Sequence, residues 1–261
     1  MKVAIITGAG SGIGFATAAI LAKRGMAIIG TGRDADKLRR LTDVVDANRL
    51  ATVPIDVTLD DAPHKIVDAA VERWDKVDLL INNAGMGRPK PVEETDDALL
   101  DACLSLMLRA PFRMIRESLP HMSPGSAIIN VSSTFAIVGG MTGGAYSAAK
   151  AGITGLTTHV AAAYGPRGIR CNVVAPGVVP TPMTDGRYDD PAFIKMNNHM
   201  TPYTRLGTVD DVVGTIAFLA SPDGEFINGQ VIVVDGGWST TKYLSEFGLN
   251  SDWVEPRNRQ G

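Results

Sequence analysis

The segment Thr7-Gly8-Ala9-Gly10-Ser11-Gly12-Ile13-Gly14 constrains the fold more than any other part of the chain. It joins a short aliphatic run, 3–7, to a stretch with helical patterning, 15–23. Glycines at every second position leave the backbone bare where the helix begins, so the chain can turn tightly and lay the helix back over the strand. The same alternation continues along the chain. Runs at 27–31, 51–55, 77–81, 127–132, 170–175 and 231–234 are aliphatic or β-branched without strict alternation, as in strands covered on both faces. Helical stretches at 35–45, 60–73, 96–119, 146–164 and 209–220 separate them. This order predicts an α/β fold, a doubly wound parallel (Rossmann-like) sheet in a single domain. Residues 1–237 make up that domain. Within it, 177–207 reads as a long irregular insertion, expected to act as a lid. Residues 238–261 read as a C-terminal extension that docks on its own or a neighbouring subunit, because Tyr243, Leu244, Phe247, Leu249 and Trp253 are too apolar for a purely disordered end.

A bare turn at a helix N-terminus offers free N–H groups and a partial positive charge to phosphates, and no side chain blocks a close approach. Gly8, Ser11, Gly12, Ile13 and Gly14 are therefore the first candidates for holding a dinucleotide. A formal net charge of -3 excludes the broad basic field that nucleic acid or an anionic membrane would need. No apolar run is long enough to span a membrane. Cys103 and Cys171 stand apart and belong to no CxxC pair, which fits a reducing compartment and a cytoplasmic location. His64, His121, His159 and His199 are scattered without ligand spacing, so no metal is expected.

The spacing of the turn, TGxxxGIG, resembles that of the short-chain dehydrogenase/reductase family, and further elements extend the resemblance to Gly237. Asn82-Asn83-Ala84-Gly85 follow the fourth strand, Asp56-Val57 the third, and Pro176-Gly177 the sixth. The resemblance implies a nicotinamide-dependent oxidoreductase. It adds Asp56, Val57, Asn83, Ala84, Gly85, Pro176, Gly177, Val179 and Thr181 to the cofactor contacts, Asp56 and Val57 beside adenine and Thr181 on the nicotinamide carboxamide. It also matches Ser133, Tyr146 and Lys150 to the family's Ser-Tyr-Lys set, with Tyr146 and Lys150 touching cofactor as well.

The physical reading of that set is direct. Tyr146 and Lys150 are four residues apart and share a helix face. A phenol is a poor base at neutral pH, and a neighbouring ammonium is expected to lower its pKa by about 1–3 units. The phenol then exchanges a proton with an alcohol or ketone oxygen while Ser133 holds that oxygen. Ser132 is the neighbouring alternative to Ser133. At the end of the second strand an acidic residue would bind the ribose 2′-OH of NAD(H), but Gly32 stands there, followed by Arg33. A guanidinium can grip a 2′-phosphate, so NADP(H) is the expected cofactor, with NAD(H) still open. Asp34 reads as the cap of the next helix.

In one place the chain departs from the family. The family commonly has an asparagine five residues before Phe112 and thirteen before Pro120, and that position is Met107. A thioether cannot anchor the water of a proton relay. For substrate, Met183, Tyr188, Phe193, Met196, Met200 and Tyr203 in the insertion, with Phe135, Ile137, Val138 and Met141 after Ser133, suit a small apolar alcohol or ketone. Arg88 and Lys90 could instead meet an anionic group on it. Small residues along 145–163 allow close helix packing, and the family resemblance implies a homo-oligomer, a tetramer or a dimer. Two rival readings remain: a lyase on the same fold that binds no nucleotide, against which Lys150 and the glycine turn speak, and a nucleotide-binding protein with weak catalysis, for which Met107 speaks.

Overall fold

The computed structural model describes residues 1–241. Tyr243, Leu244, Phe247, Leu249 and Trp253, which carry the reading of the C-terminal extension, lie outside the described residues. Seven strands, β1 (Val3–Thr7), β2 (Ala27–Gly32), β3 (Leu50–Pro54), β4 (Leu79–Asn82), β5 (Ala127–Val131), β6 (Arg170–Pro176) and β7 (Val231–Val234), form one sheet in the order β3-β2-β1-β4-β5-β6-β7. Every pairing is parallel, with Val3 opposite Ala27 on one side of β1 and Ala4 opposite Leu79 on the other. The doubly wound, single-domain reading holds.

Alternate residues of each strand serve opposite faces. Ala4, Ile6, Ile81, Ile129 and Val174 pack with Ala18 and Leu21 of α1 (Gly12–Lys23) and with Val212 and Ile216 of α8 (Val209–Leu219). Val3, Ile5, Leu80 and Ile128 pack with Ile66 and Val67 of α3 (Ala62–Trp74), Met114 of α5 (Ala110–Ser118) and Val160 of α6 (Gly144–Tyr164). Each buried Val, Ile, Leu or Met among them contributes about 1.5–3 kcal/mol by leaving water, which is why the strands read as unbroken apolar runs. Both cysteines are buried and free, and burial pushes the Cys171 thiol up to about 12. The strand order reverses between β1 and β4, and ligands bind such folds in the crevice beyond the carboxyl ends at that point.

Three sequence expectations change. The helix read at 35–45 is regular only over α2 (Ala35–Arg39) and then tightens to a 3-10 turn, Arg40–Asp43. The single helix read at 96–119 is α4 (Asp97–Leu104), a π-turn at Ser105–Arg109, and α5. One residue is inserted there, a local departure that hydrophobic periodicity does not reveal. The insertion 177–207 is not irregular throughout, since α7 (Pro191–Met200) lies inside it. Its start signals were present: Asp190 caps it by accepting from the Ala192 N–H at 2.8 Å, and Pro191 occupies the first turn.

Candidate active site

The crevice is built by joining the ends of β1 and β4. Thr7 and Asn83 do this with main-chain and side-chain bonds together. The Asn83 and Ala84 N–H groups donate to Thr7 Oγ1 at 3.0 and 3.1 Å, and Asn83 Nδ2 donates to the Thr7 carbonyl at 3.0 Å. Asn83 is thus a latch between strands as well as part of the crevice wall. Gly8, at φ +69, begins the turn, and a Cβ there would lie 3.0 Å from Asn83 Nδ2. Gly14 is not among the residues lining the two clefts, and a Cβ on it would run into the Gly8 carbonyl oxygen, so its bareness lets α1 press onto the turn.

Two clefts meet at Gly8, Ser11, Ala84 and Gly85. One is lined by Gly32, Arg33, Asp56 and Val57 from the ends of β2 and β3. The other is lined by Gly12, Ile13, Asn83, Ser133, Tyr146, Lys150, Pro176, Gly177, Val179 and Thr181. This arrangement fits an extended dinucleotide with its phosphates at the shared turn. The N-terminus of α1 supports that fit, because Ser11 makes no side-chain cap bond and the first turn has no acidic residue. Its free N–H groups therefore remain for an anion. In the first cleft Asp34 is occupied as a cap, accepting from the Asp36 and Lys37 N–H groups at 3.0 and 3.1 Å, while Asp56 accepts from Thr58. Exposed Arg33 is left facing that cleft.

Ser133, Tyr146 and Lys150 share one wall of the second cleft. Ser133 follows β5 and caps a short turn through the Phe135 N–H at 3.2 Å. Ser132 also reaches the cleft but is committed elsewhere, donating from its hydroxyl to the Lys150 carbonyl at 2.9 Å. Lys150 is 5% exposed, its ammonium lies 5.9 Å from the Tyr146 ring centre, and it donates to the Val131 carbonyl at 2.7 Å. Burial alone brings its pKa down to about 8. The expected lowering of the Tyr146 pKa is not what the structure shows. Burial of the phenol raises it and outweighs the opposing bond with the Ser133 hydroxyl. The reason is geometric: the lysine's hydrogen bond goes to main chain, and the phenol is largely enclosed.

Met107 sits in the π-turn, 1% exposed, in a cluster with Cys103, Ala145, Ala149 and the Tyr146 ring. It closes the back of the tyrosine with hydrocarbon and sulfur. Of the apolar residues read from sequence as substrate contacts, Phe135 and Met183 line the cleft. Ile137, Val138, Met141, Tyr188, Phe193, Met196, Met200 and Tyr203 do not; Tyr188 and Phe193 pack edge-on to each other at 5.7 Å. Arg88 lines the Arg33 cleft instead, and Lys90 lines neither. Arg187 is the cation that sequence reading missed in the reacting cleft. No local motif marks it. Among the described residues no His, Cys, Asp or Glu cluster could hold a metal, and no helix is long and apolar enough to cross a membrane.

Comparison with known proteins agrees with this layout. The profile of the family described as Enoyl-(Acyl carrier protein) reductase matches residues 8–239. A cis-4-hydroxycyclohexanecarboxylate dehydrogenase of Sinomonas cyclohexanicum is 39% identical over 246 residues, covering 91% of this chain and 96% of that protein. A levodione reductase of Leifsonia aquatica is 36% identical, covering 91% and 94%. Among solved structures, a gluconate 5-dehydrogenase of Burkholderia cenocepacia in complex with NADP and tartrate superposes with a TM-score of 0.85 at 31% identity, covering 92% of this chain and 96% of that one. A 4-hydroxyisoleucine dehydrogenase complexed with NADH gives 0.86 at 28%, covering 93% and 100%.

Proposed function

Because the chain belongs to the short-chain dehydrogenase/reductase family, whose members here are oxidoreductases using nicotinamide dinucleotides, we propose that it interconverts a secondary alcohol and a ketone with NADP(H). The observation that carries this reading is the convergence of Ser133, Tyr146 and Lys150 on one cleft that opens onto the bare glycine turn. Bound nicotinamide supplies the hydride to the ketone carbon, or accepts it from the alcohol. The turn and the α1 N-terminus would hold the phosphates, and Thr181 and Val179 would hold the nicotinamide end. Ser133 donates a hydrogen bond to the substrate oxygen. The Tyr146 phenol, kept protonated at neutral pH by its burial, donates its proton to that oxygen during reduction and takes one back during oxidation. Lys150, with one donor on Val131, keeps two donors for the nicotinamide ribose.

Preference for NADP(H) rests on Arg33 beside Gly32, with the acid of that corner, Asp34, bound to its own helix. Residues 177–207 serve as the lid over the substrate. Two relatives are named for a hydroxycyclohexane acid and a dione, so secondary alcohols and ketones borne on six-membered rings head the panel to be tried. The test is a screen of such compounds with both cofactors, read by nicotinamide absorbance. Turnover with NADP(H) is expected. Absence of any substrate-dependent hydride transfer, with cofactor binding intact, would favour the nucleotide-binding alternative that Met107 keeps in view.

A further inference from the structure

Among the described residues, the cleft that holds Ser133 and Tyr146 is lined by two charged residues, Lys150 and Arg187, and by no carboxylate. Lys150 is buried and bonded to main chain, its ammonium donating to the Val131 carbonyl, so Arg187 is the exposed cation of the cleft. Arg187 comes from the lid. Its backbone is held on both sides. The Arg187 N–H donates to the Thr184 carbonyl at 3.1 Å, and Thr184 Oγ1 ties back to the Val179 carbonyl at 2.9 Å. On the other side, the Tyr188 hydroxyl donates to the Val178 carbonyl at 3.0 Å. The Arg187 guanidinium itself makes no ion pair or side-chain hydrogen bond among the described residues. The nearby acids do not claim it: Asp185 accepts from the Gly186 N–H at 3.0 Å, Asp190 caps α7, and neither they nor Asp189 line the cleft.

A planar cation with five donors, anchored by its backbone, exposed at the cleft and without an ion pair among the described residues, is suited to a planar anion. We propose that Arg187 is a specificity-determining residue that binds a carboxylate on the substrate, remote from the oxygen that Ser133 and Tyr146 serve. The substrate class is then a hydroxy or oxo acid with an apolar skeleton between its two polar ends, the skeleton lying against Phe135 and Met183. This assignment rests on the alcohol–ketone reading of the same cleft, and it explains how a largely apolar site could choose one small ketone over another. An apolar wall discriminates weakly between similar skeletons, whereas a charged partner left unpaired penalises the wrong one.

The test separates the two claims by measuring binding and turnover independently. With the NADP⁺-loaded protein, cyclohexanecarboxylate is titrated against its methyl ester by calorimetry. With the NADPH-loaded protein, reduction of 4-oxocyclohexanecarboxylate is compared with that of its methyl ester. The acid is expected to bind more tightly than the ester. Arg187→Gln should lower the acid-to-ester ratio of affinities, and of kcat/KM, by about 10–100-fold, the loss of one charge-assisted paired contact. Arg187→Lys should restore part of it, since charge returns without the fork. Equal binding of acid and ester by the unaltered protein, no binding of either, or an unchanged ratio in Arg187→Gln would overturn the assignment. So would a variant whose main defect is weaker NADP(H) binding, which would place the guanidinium on the pyrophosphate. Acid-selective binding lost in Arg187→Gln, together with no reduction of any ketone, would uphold the anchor and sink the catalytic reading alone.

Discussion

The two clefts that meet at the glycine turn are built on opposite electrostatic plans. Around the adenosine-side cleft Arg33, Asp34 and Lys37 are exposed and near one another in sequence, joined by Asp56 and exposed Arg88 from other loops, and Asp34 settles its charge locally with its own helix. Water screens such groups, and they cost the fold little. Around the reacting cleft the polar groups come from the segment after β5, from α6 and from the 177–207 segment, and Ser132, Ser133, Thr134 and Lys150 are buried, Ser133 at 7% exposure and Lys150 at 5%. There the fold holds an ammonium out of water and half-buries a phenol. In the proposed function the first cleft would discriminate between cofactors through charges that can be exchanged at small cost to stability. The second would perform chemistry through groups whose burial costs the fold.

The largest effect that could break this contrast is at Tyr146. If the buried phenol carries the proton, Tyr146→Phe removes one hydroxyl and should reduce kcat by about 10²–10⁴-fold. Cofactor affinity, measured by fluorescence titration, should stay within a few-fold, because the turn and the adenosine-side cleft are untouched. A variant that keeps its turnover would remove Tyr146 from the mechanism and with it the chemical half of the contrast.

Lys150 tests the claim of strain. Its folded pKa of about 8 lies below the ordinary 10.5, so between those values the unfolded chain binds a proton that the folded protein does not. Stability attributable to this group therefore rises with pH across that window, and below pH 8 the full penalty applies, about 3 kcal/mol as an upper bound. Lys150→Met, of similar length and uncharged, should be inactive yet more stable than the unaltered protein without cofactor at pH 7. Its advantage should shrink as pH rises from 8 to 10. Denaturant unfolding at the two pH values is sufficient, and a less stable variant at pH 7 would mean that the Val131 hydrogen bond outweighs the desolvation.

At the adenosine side the expected change is about 10–100-fold in preference and little in stability. Gly32→Asp places a carboxylate where a 2′-phosphate would sit, and a Cβ at Gly32 meets nothing closer than Leu38 Cδ2 at 3.8 Å, so the side chain fits. The ratio of NADP(H) to NAD(H) affinity should fall by that factor, while thermal unfolding moves little. A protein that already prefers NAD(H) would refute the role given to Arg33.

The same contrast governs what could be read in advance. Seven strands and the glycine turn were legible because burial on both faces leaves unbroken aliphatic runs and a close phosphate approach needs bare backbone. The capping role of Asp34 was legible because it depends on neighbours in sequence. Arg187 was not, since an arginine in a loop of mixed composition declares nothing until Tyr188 and Thr184 fix where it stands. The Tyr146 pKa was misread for a similar reason. Spacing of four puts Lys150 on the same helix face, but only the packing shows that its proton is directed to Val131 and that enclosure outweighs charge. Helix α7 was missed although Asp190 and Pro191 announced it, because the preceding segment dominated the impression of irregularity.

The smallest expected effect concerns Met107, where the reacting cleft departs from its family. Its side chain lies in the π-turn with Cys103, Ala145 and Ala149, against the ring of Tyr146, and its sulfur stands 3.7 Å from where a Cβ on Gly85 would be. The residues of this cluster offer a water few polar partners, which would disfavour reprotonation of the phenol from behind. In the proposed function reloading would then come from the cleft mouth or through the Lys150 ammonium, whereas hydride transfer would depend on Ser133 and Tyr146 and not on this residue. The unaltered enzyme should therefore show a solvent deuterium effect on kcat, with an ordinary substrate deuterium effect on a single turnover. Met107→Asn introduces an amide able to hold a water. The solvent effect should shrink and the single-turnover substrate effect should stay the same. The buried amide should also cost the fold about 1–3 kcal/mol where its bonds are left unmade. Equal solvent effects in the two proteins would show that proton delivery never limits turnover, and that the thioether behind Tyr146 is packing alone.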